Sequence, residues 1–202
     1  MARYTGPKVR KARRFGEAFT NKDAKALTKR PYAPGVHGQS SKRVSEYGTQ
    51  LKEKQKAKWT YGVLEKQFRK YFELASKKKG VTGDALLQML ELRLDNVVYR
   101  LGFAETRAQA RQIVSHGLID INGKKVNIPS YQTKVGEVIG FRESKQKSKY
   151  VELLKQKIKS HKTQEWVSMD SQNLNGKVLS IPTPEQFDNK INTQLIVELY
   201  SR

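Results

Sequence analysis

Side chains able to do acid–base or nucleophilic chemistry are sparse in this sequence, and their spacing does not suit it. Glu91 and Asp95 lie four residues apart, so a helix would set both carboxylates on one face, as a general acid–base pair requires. Arg93 and Arg100 stand beside them, and the group reads instead as a surface ion-pair cluster near a helix end. The three histidines, His37, His116 and His161, are far apart and lack the close spacing of zinc ligands. Cysteine is absent, which removes a disulfide, a thiolate metal site and a thiol nucleophile. No Gly-rich phosphate loop, GxSxG elbow or HExxH helix occurs. The expectation is a protein that is not an enzyme and that holds no metal and no cofactor.

The chemistry that the residues do support is the binding of anions. Among 202 residues, 40 Lys and Arg face 19 Asp and Glu, for a net charge of +21. Such an excess points to a polyanionic partner, and nucleic acid is the first candidate. No apolar run approaches the ~18 residues of a membrane span, so no membrane partner is expected. The basic N-terminus "MARYTGPKVRKARRFG" is not followed by an apolar stretch and does not read as a secretory signal.

One stretch concentrates the cations on regular structure. In "TRAQARQIVSHGLIDINGKKVNI", Thr106 and Gln109 fit a capping box at a helix start, and Gly117 marks the helix stop. Asn122-Gly123 suits a type I′ turn, which pairs Ile119 with Val126 and sets Asp120 opposite Lys125. Ala110, Ile113 and Val114 would face inward, leaving Arg107 and Arg111 together on the opposite face, with Lys124 and Lys125 at the hairpin tip. His116, just before the stop, would cap the helix or meet a phosphate. These five residues are the predicted phosphate- and sugar-contacting surface of the second half.

The elements around this stretch follow from composition and periodicity. Residues 1–83 carry a net +16 against +5 for the remainder. The first 43 residues, with the Pro- and Gly-rich "KRPYAPGVHGQSSKR", predict a basic extended N-terminal arm. Tyr4, Phe15, Phe19 and Tyr32 sit among its cations as candidate base-stacking residues. A charged helix from Ser45, anchored by Tyr47, Leu51 and Trp59, should precede a second with the apolar stripe Leu64, Phe68, Tyr71, Phe72 and Ala75. Arg10, Arg13, Arg14, Arg30, Lys54 and Lys58 are the expected phosphate and sugar contacts from the arm and first helix. "GDALLQMLELRLDNVVYRLG" predicts the strongest helix, broken near Glu91 and capped by Gly102. Strands around Val138 to Phe141, in "WVSMD" and in "NLNGKVLSIP", a helix in "YVELLKQKIKSHK", and a C-terminal helix complete the reading. The fold class is α+β. A mostly helical domain over 44–90, joined by the helix at 184–202, accompanies a second domain at 91–183 with two helices and a small, mainly antiparallel sheet.

The segment from Leu90 to Ser130 carries Leu90-Glu91-x-Arg93-Leu94, then Val98-Tyr99-Arg100, Ala104-x-Thr106, and Ala110-Arg111-x-Ile113-Val114. With this spaced pattern it resembles the RNA-binding module of the small-subunit ribosomal protein S4 family. The flanks "KRPYAPGVHG", "SEYGTQLKEKQK", "YGVLEKQF" and "LIVELYSR" extend the resemblance to the ribosomal protein itself. It implies a structural constituent of the cytoplasmic small ribosomal subunit, an organelle ribosome being the alternative setting. Such a protein binds a junction in the 5′ domain of 16S-type rRNA, nucleates assembly, and neighbours ribosomal proteins S5 and S3 near decoding and mRNA entry. Some members also repress their own mRNA. Two departures are visible: the arm lacks the four zinc-binding cysteines of many members, and Ala108 stands where many have a second arginine. The alternatives are an RNA-modifying enzyme or a general nucleic-acid binder using the same module.

Overall fold

The fold was obtained as a computed structural model, and the structure describes residues 4–40, 43–146, 148–158, 163–170, 172–187 and 191–202. His161 lies outside the described residues. In chain order the helices are α1 (Lys8–Phe15), α2 (Asn21–Lys29), α3 (Glu46–Thr60), α4 (Glu65–Ser76), α5 (Thr82–Glu91), α6 (Leu94–Arg100), α7 (Arg107–Ser115), α8 (Lys149–Ile158) and α9 (Thr193–Ser201). The strands are β1 (Ile119–Ile121), β2 (Lys124–Lys125), β3 (Val138–Phe141), β4 (Val167–Asp170) and β5 (Asn175–Val178). The α+β class is as expected from the sequence. Two compact units result, one of residues 1–83 with 189–202 and one of residues 84–188.

In the first unit the segment expected as an extended arm carries two helices instead. Ala12 and Phe15 of α1 are buried, and the Thr20 side chain caps α2 by accepting from the Asp23 amide. Residues 30–40, in the Pro- and Gly-rich part after α2, stay irregular. α3 departs from its expected anchors: Tyr47 is exposed and Leu51 and Trp59 are half-buried, while Gln50, Lys54, Lys56, Ala57 and Thr60 are buried. The reason is that α3 packs on α9 through polar pairs. Gln50 Nε2 donates to Glu198 at 3.0 Å, and the Asn192 amide donates to Glu53 at 3.3 Å. α4 follows most of its stripe, burying Phe68, Tyr71 and Ala75, with Phe72 stacked 4.5 Å from Tyr200, while Leu64, at the N-cap, is exposed. The C-terminal helix is shorter than residues 184–202. Pro184–Gln186 form a separate 3-10 turn, and Asn192 caps α9 by accepting from the Gln194 and Leu195 amides.

The second unit contains the predicted break between α5 and α6. Its cause is a crossing with a later loop. Arg93 bridges to Gln132, the Leu94 amide donates to the Tyr131 carbonyl at 2.8 Å, and the Thr133 amide donates to Leu92 at 2.9 Å. α6 then ends at Gly102 with two tightening bonds, Gly102 N to Tyr99 O and Phe103 N to Val98 O. The sheet order is β2-β1-β3-β5-β4, antiparallel throughout. The buried faces of α6, α7 and α8 meet it around Leu101, Val114, Ile119, Phe141, Leu154 and Trp166. Burial of side chains of this size stabilises by about 1.5–3 kcal/mol each.

Tyr150 on α8 ties this core to the α6–α7 connection, donating to the Phe103 carbonyl at 2.6 Å. Burial, and then the charge of Glu105, pushes its pKa up to about 12. An unfolded tyrosine titrates near ~10, so the folded state holds this proton more tightly. The linked stability is fully present below about pH 10 and is lost as pH rises toward the folded pKa. In a phenolate absorption titration, Tyr150→Phe should remove one late-ionising tyrosine, and its stability should fall less between pH 10 and 12 than that of the unsubstituted chain.

Candidate nucleic-acid interface

The hairpin forms as the Asn-Gly pair requires. Asn122 and Gly123 have φ of 50° and 76°, and the register sets Asp120 against Lys125 and Ile121 against Lys124. The Val126 amide donates to the Ile119 carbonyl. Asn122 adds a bond that the turn type does not need: its Oδ1 accepts from the Val138 amide at 2.9 Å, fixing the turn to β3. Lys124 and Lys125 are both exposed.

α7 ends beside this hairpin. The Thr106 side chain caps its start by accepting from the Gln109 amide at 3.2 Å. The capping box is only half formed, because the Gln109 side chain accepts from the Glu105 amide rather than from Thr106. Gly117, at φ 66°, ends α7 with bonds from its own amide to Val114 and from Leu118 to Ile113. A Cβ there would lie 2.7 Å from Lys125 Cε, so the lysine stem runs over the glycine. Lys125 is thus placed where the end of α7 meets the hairpin; exposed His116 precedes that glycine in the chain, and Lys124 precedes Lys125 on β2, with its side chain on the other face of the strand.

Arg107 and Arg111 do not share an outward face. Arg111 is 8% exposed and belongs to the buried side of α7 with Ala110 and Val114. The spacing explains this: 107, 110, 111 and 114 are positions i, i+3, i+4 and i+7, one stripe of the helix, and it is the stripe that packs inward. Arg107, at the start of that stripe, is half-buried and lies about 13 Å along the helix axis from His116.

Arg107 is held by a buried network that joins the ion-pair cluster read from the sequence to Asn96 and Tyr99, two residues that the sequence reading did not single out. Its Nε donates to Asn96 Oδ1 at 2.7 Å, and its guanidinium lies 4.6 Å from the Tyr99 ring centroid. Asn96 Nδ2 donates in turn to the Glu91 carboxylate at 2.7 Å and the Glu91 carbonyl at 2.9 Å. Arg100 grips that same carboxylate with two bonds of 2.7 and 2.9 Å. Arg93 pairs with Asp95 in the same two-pronged way, at 2.8 and 3.0 Å. The expected ion pairs exist, but they are interior: Glu91 and Arg93 are each 0% exposed. The available signal was the cluster of Glu91, Arg93, Asp95 and Arg100 itself, since Asn96 lies off the apolar stripe of its helix.

In the first unit, Arg10 and Arg14 are exposed and one turn apart on α1, and Arg30 is exposed at the end of α2. Arg13 turns inward to a structural role, donating to the Tyr32 and Ala33 carbonyls with its guanidinium over the Tyr32 ring. Lys54 is buried against Glu65 at 2.7 Å, which corrects the expectation of an outward contact, and Lys58 meets the same carboxylate at 2.9 Å. Tyr200 also donates to Glu65. Burial alone would raise the Glu65 pKa, but the hydrogen bonds and charges of Lys54 and Lys58 outweigh it and hold the carboxyl below its usual range. Among the described residues, no group of three or more His, Cys, Asp or Glu is placed to hold a metal ion, and no helix is long and apolar enough to cross a membrane.

Comparison with known proteins agrees with this architecture. The family described as "Ribosomal protein S4/S9 N-terminal domain" matches residues 3–91, and the "S4 domain" matches residues 92–139. Proteins named small ribosomal subunit protein uS4 are similar from end to end. The one from Parabacteroides distasonis is 57% identical, that from Roseiflexus sp. 52% and that from Acetivibrio thermocellus 50%. Each comparison covers 100% of this chain and 100% of the relative. With the two family models matched in order over residues 3–139 and half or more of the residues identical end to end to these relatives, the chain belongs to the small-subunit ribosomal protein S4 (uS4) family.

Proposed function

We propose that this chain is a structural constituent of the small ribosomal subunit that acts by binding 16S-type rRNA. The observation that carries the reading is the end-to-end similarity to small-subunit uS4 proteins in a chain of net charge +21. The hairpin and helix end fit the role physically. Lys124, Lys125 and His116 sit on a rigid frame, where cations meet phosphates without first having to be ordered. Arg107, oriented by Asn96 and Tyr99, is a further contact on the same unit, and Arg10, Arg14 and Arg30 act from the first. The mechanism is charge neutralisation combined with fit to folded RNA, and it involves no covalent step. In this reading the protein binds a junction of the 5′ domain, nucleates subunit assembly, and adjoins ribosomal proteins S5 and S3 near the decoding and mRNA-entry regions. Repression of its own mRNA would use the same surface.

Replacing Lys124 and Lys125 together by alanine tests the hairpin. Two exposed side chains are removed, so the fold should persist. Affinity for a 5′-domain rRNA fragment should fall about tenfold, and the slope of log K against log salt should flatten by roughly 1.5 to 2, the release expected for two phosphate contacts. An unchanged affinity and slope would remove the hairpin from the interface. Arg111→Ala is not a clean probe, because it opens the core behind α7.

A further inference from the structure

The first helix carries a cation cluster distinct from the hairpin. Lys11 Nζ lies 4.6 Å from the Trp59 ring centroid and 5.4 Å from that of Tyr4. The two rings meet edge to face at 4.4 Å, and Lys58 Nζ stands 6.0 Å from Trp59. The charged groups that act on Lys11 are cations, of which Lys58 is paired with Glu65. Burial first, then Arg14, Lys58 and Arg10, push its pKa below the ordinary lysine value. Gathering these cations costs Coulomb energy in the protein alone, and the π faces of Trp59 and Tyr4 offset part of it. Two further contacts hold the region to α3. Lys56 on α3 pairs with Glu17 at 2.6 Å, and Ala12 and Phe15 of α1 are buried.

We propose that Tyr4, Lys11 and Trp59 latch α1 onto α3 before any ligand arrives, and that the latch gathers Arg10, Lys11 and Arg14 into one site for neighbouring phosphates of folded RNA. The site rests on the rRNA-binding function proposed above. Phosphate is the class of ligand because the cluster combines two exposed guanidiniums one turn apart, each able to form a two-pronged bond to phosphate oxygens, with the Lys11 ammonium close enough to feel both charges. Trp59 bears no charge and is a positioning residue: it sets where the cations stand. An arm ordered in advance avoids the conformational entropy cost that a disordered basic tail meets on binding.

The test uses the full chain with Trp59→Leu, which changes no charge, and Trp59→Phe, which keeps an aromatic face. In the unsubstituted chain without RNA, the α1 amides should be protected from hydrogen exchange. Trp59→Leu should lose that protection while the α7 amides keep theirs, bind a 5′-domain rRNA fragment at least tenfold more weakly, and show a salt slope flatter by about 2. Trp59→Phe should retain most of both. Lys11→Met and Lys11→Arg form a second pair, the first expected to weaken binding and the second to preserve it. Unaltered affinity and slope in Trp59→Leu, or α1 amides that exchange as fast in the unsubstituted chain as in that variant, would overturn the latch. Absence of rRNA binding by the unsubstituted chain would instead overturn the proposed function and the phosphate assignment, while the α1 exchange would still decide the latch.

Discussion

Arg100→Ala is expected to destabilise the unit of residues 84–188 by about 3–5 kcal/mol, the loss typical when one partner of a buried ion pair is removed. Glu91 is 0% exposed, and Arg100 supplies two of the hydrogen bonds to its carboxylate. Without Arg100 the carboxylate keeps the amide of Asn96 but loses the two hydrogen bonds and the charge of the guanidinium, inside a region from which water is excluded. Hydrogen exchange of the α6 and α7 amides as a function of denaturant would measure the change. Glu91→Leu combined with Arg100→Met should be far milder, since an apolar pair of similar volume meets no desolvation penalty. A loss under ~1 kcal/mol for Arg100→Ala would show that the pair does not support the unit. Because Asn96 joins this carboxylate to Arg107, the variant should also loosen Arg107.

Phe103→Ala should cost a similar ~3–5 kcal/mol, here through a cavity rather than a charge. Phe103 is 0% exposed in the connection between α6 and α7, with its ring centroid 4.9 Å from that of Phe141 on β3. Its carbonyl still accepts from Tyr150 in the variant, so the loss isolates the side chain. The ring is what seats the start of α7 on the sheet, and α7 in turn ends beside the hairpin. Thermal unfolding of Phe103→Ala beside Phe103→Leu gives the measurement. The leucine variant should recover more than half of the loss, because most of the volume is refilled. Equal losses for both would point to ring-specific contacts instead of volume.

The legible parts of this fold are those governed by neighbours in the chain. Asn122-Gly123 specifies a turn with two positive φ angles, and Gly102 and Gly117 specify helix stops, because few other residues adopt that backbone cheaply. The stripe of α4 and the antiparallel register of the hairpin are equally local. The arm misled because its composition suits an extended chain, whereas its helices depend on partners: Arg13 binds carbonyls some twenty residues on, and Glu17 meets Lys56. α3 misled in the opposite sense. Its apolar residues looked like anchors, but the helix it faces, α9, offers Glu198, and Glu65 of α4 offers a carboxylate, so Gln50 and Lys54 went inside.

The candidate site divides along the same line. From the sequence alone came the excess of positive charge, the absence of cysteine, the frame of cap, stop and turn, and the exposed pair Lys124 and Lys125. Those features depend on residue type and on spacings of a few residues. The tertiary structure decided which arginines reach the surface. Arg107 and Arg111 share a stripe with Ala110 and Val114, and a helix has no preferred inward side until something packs against it. It also turned an apparent surface cluster of Glu91, Arg93, Asp95 and Arg100 into the interior of the second unit, and brought Trp59 to Tyr4 and Lys11 across more than forty residues. Charge can be counted along a chain, but burial is settled by what the chain folds against.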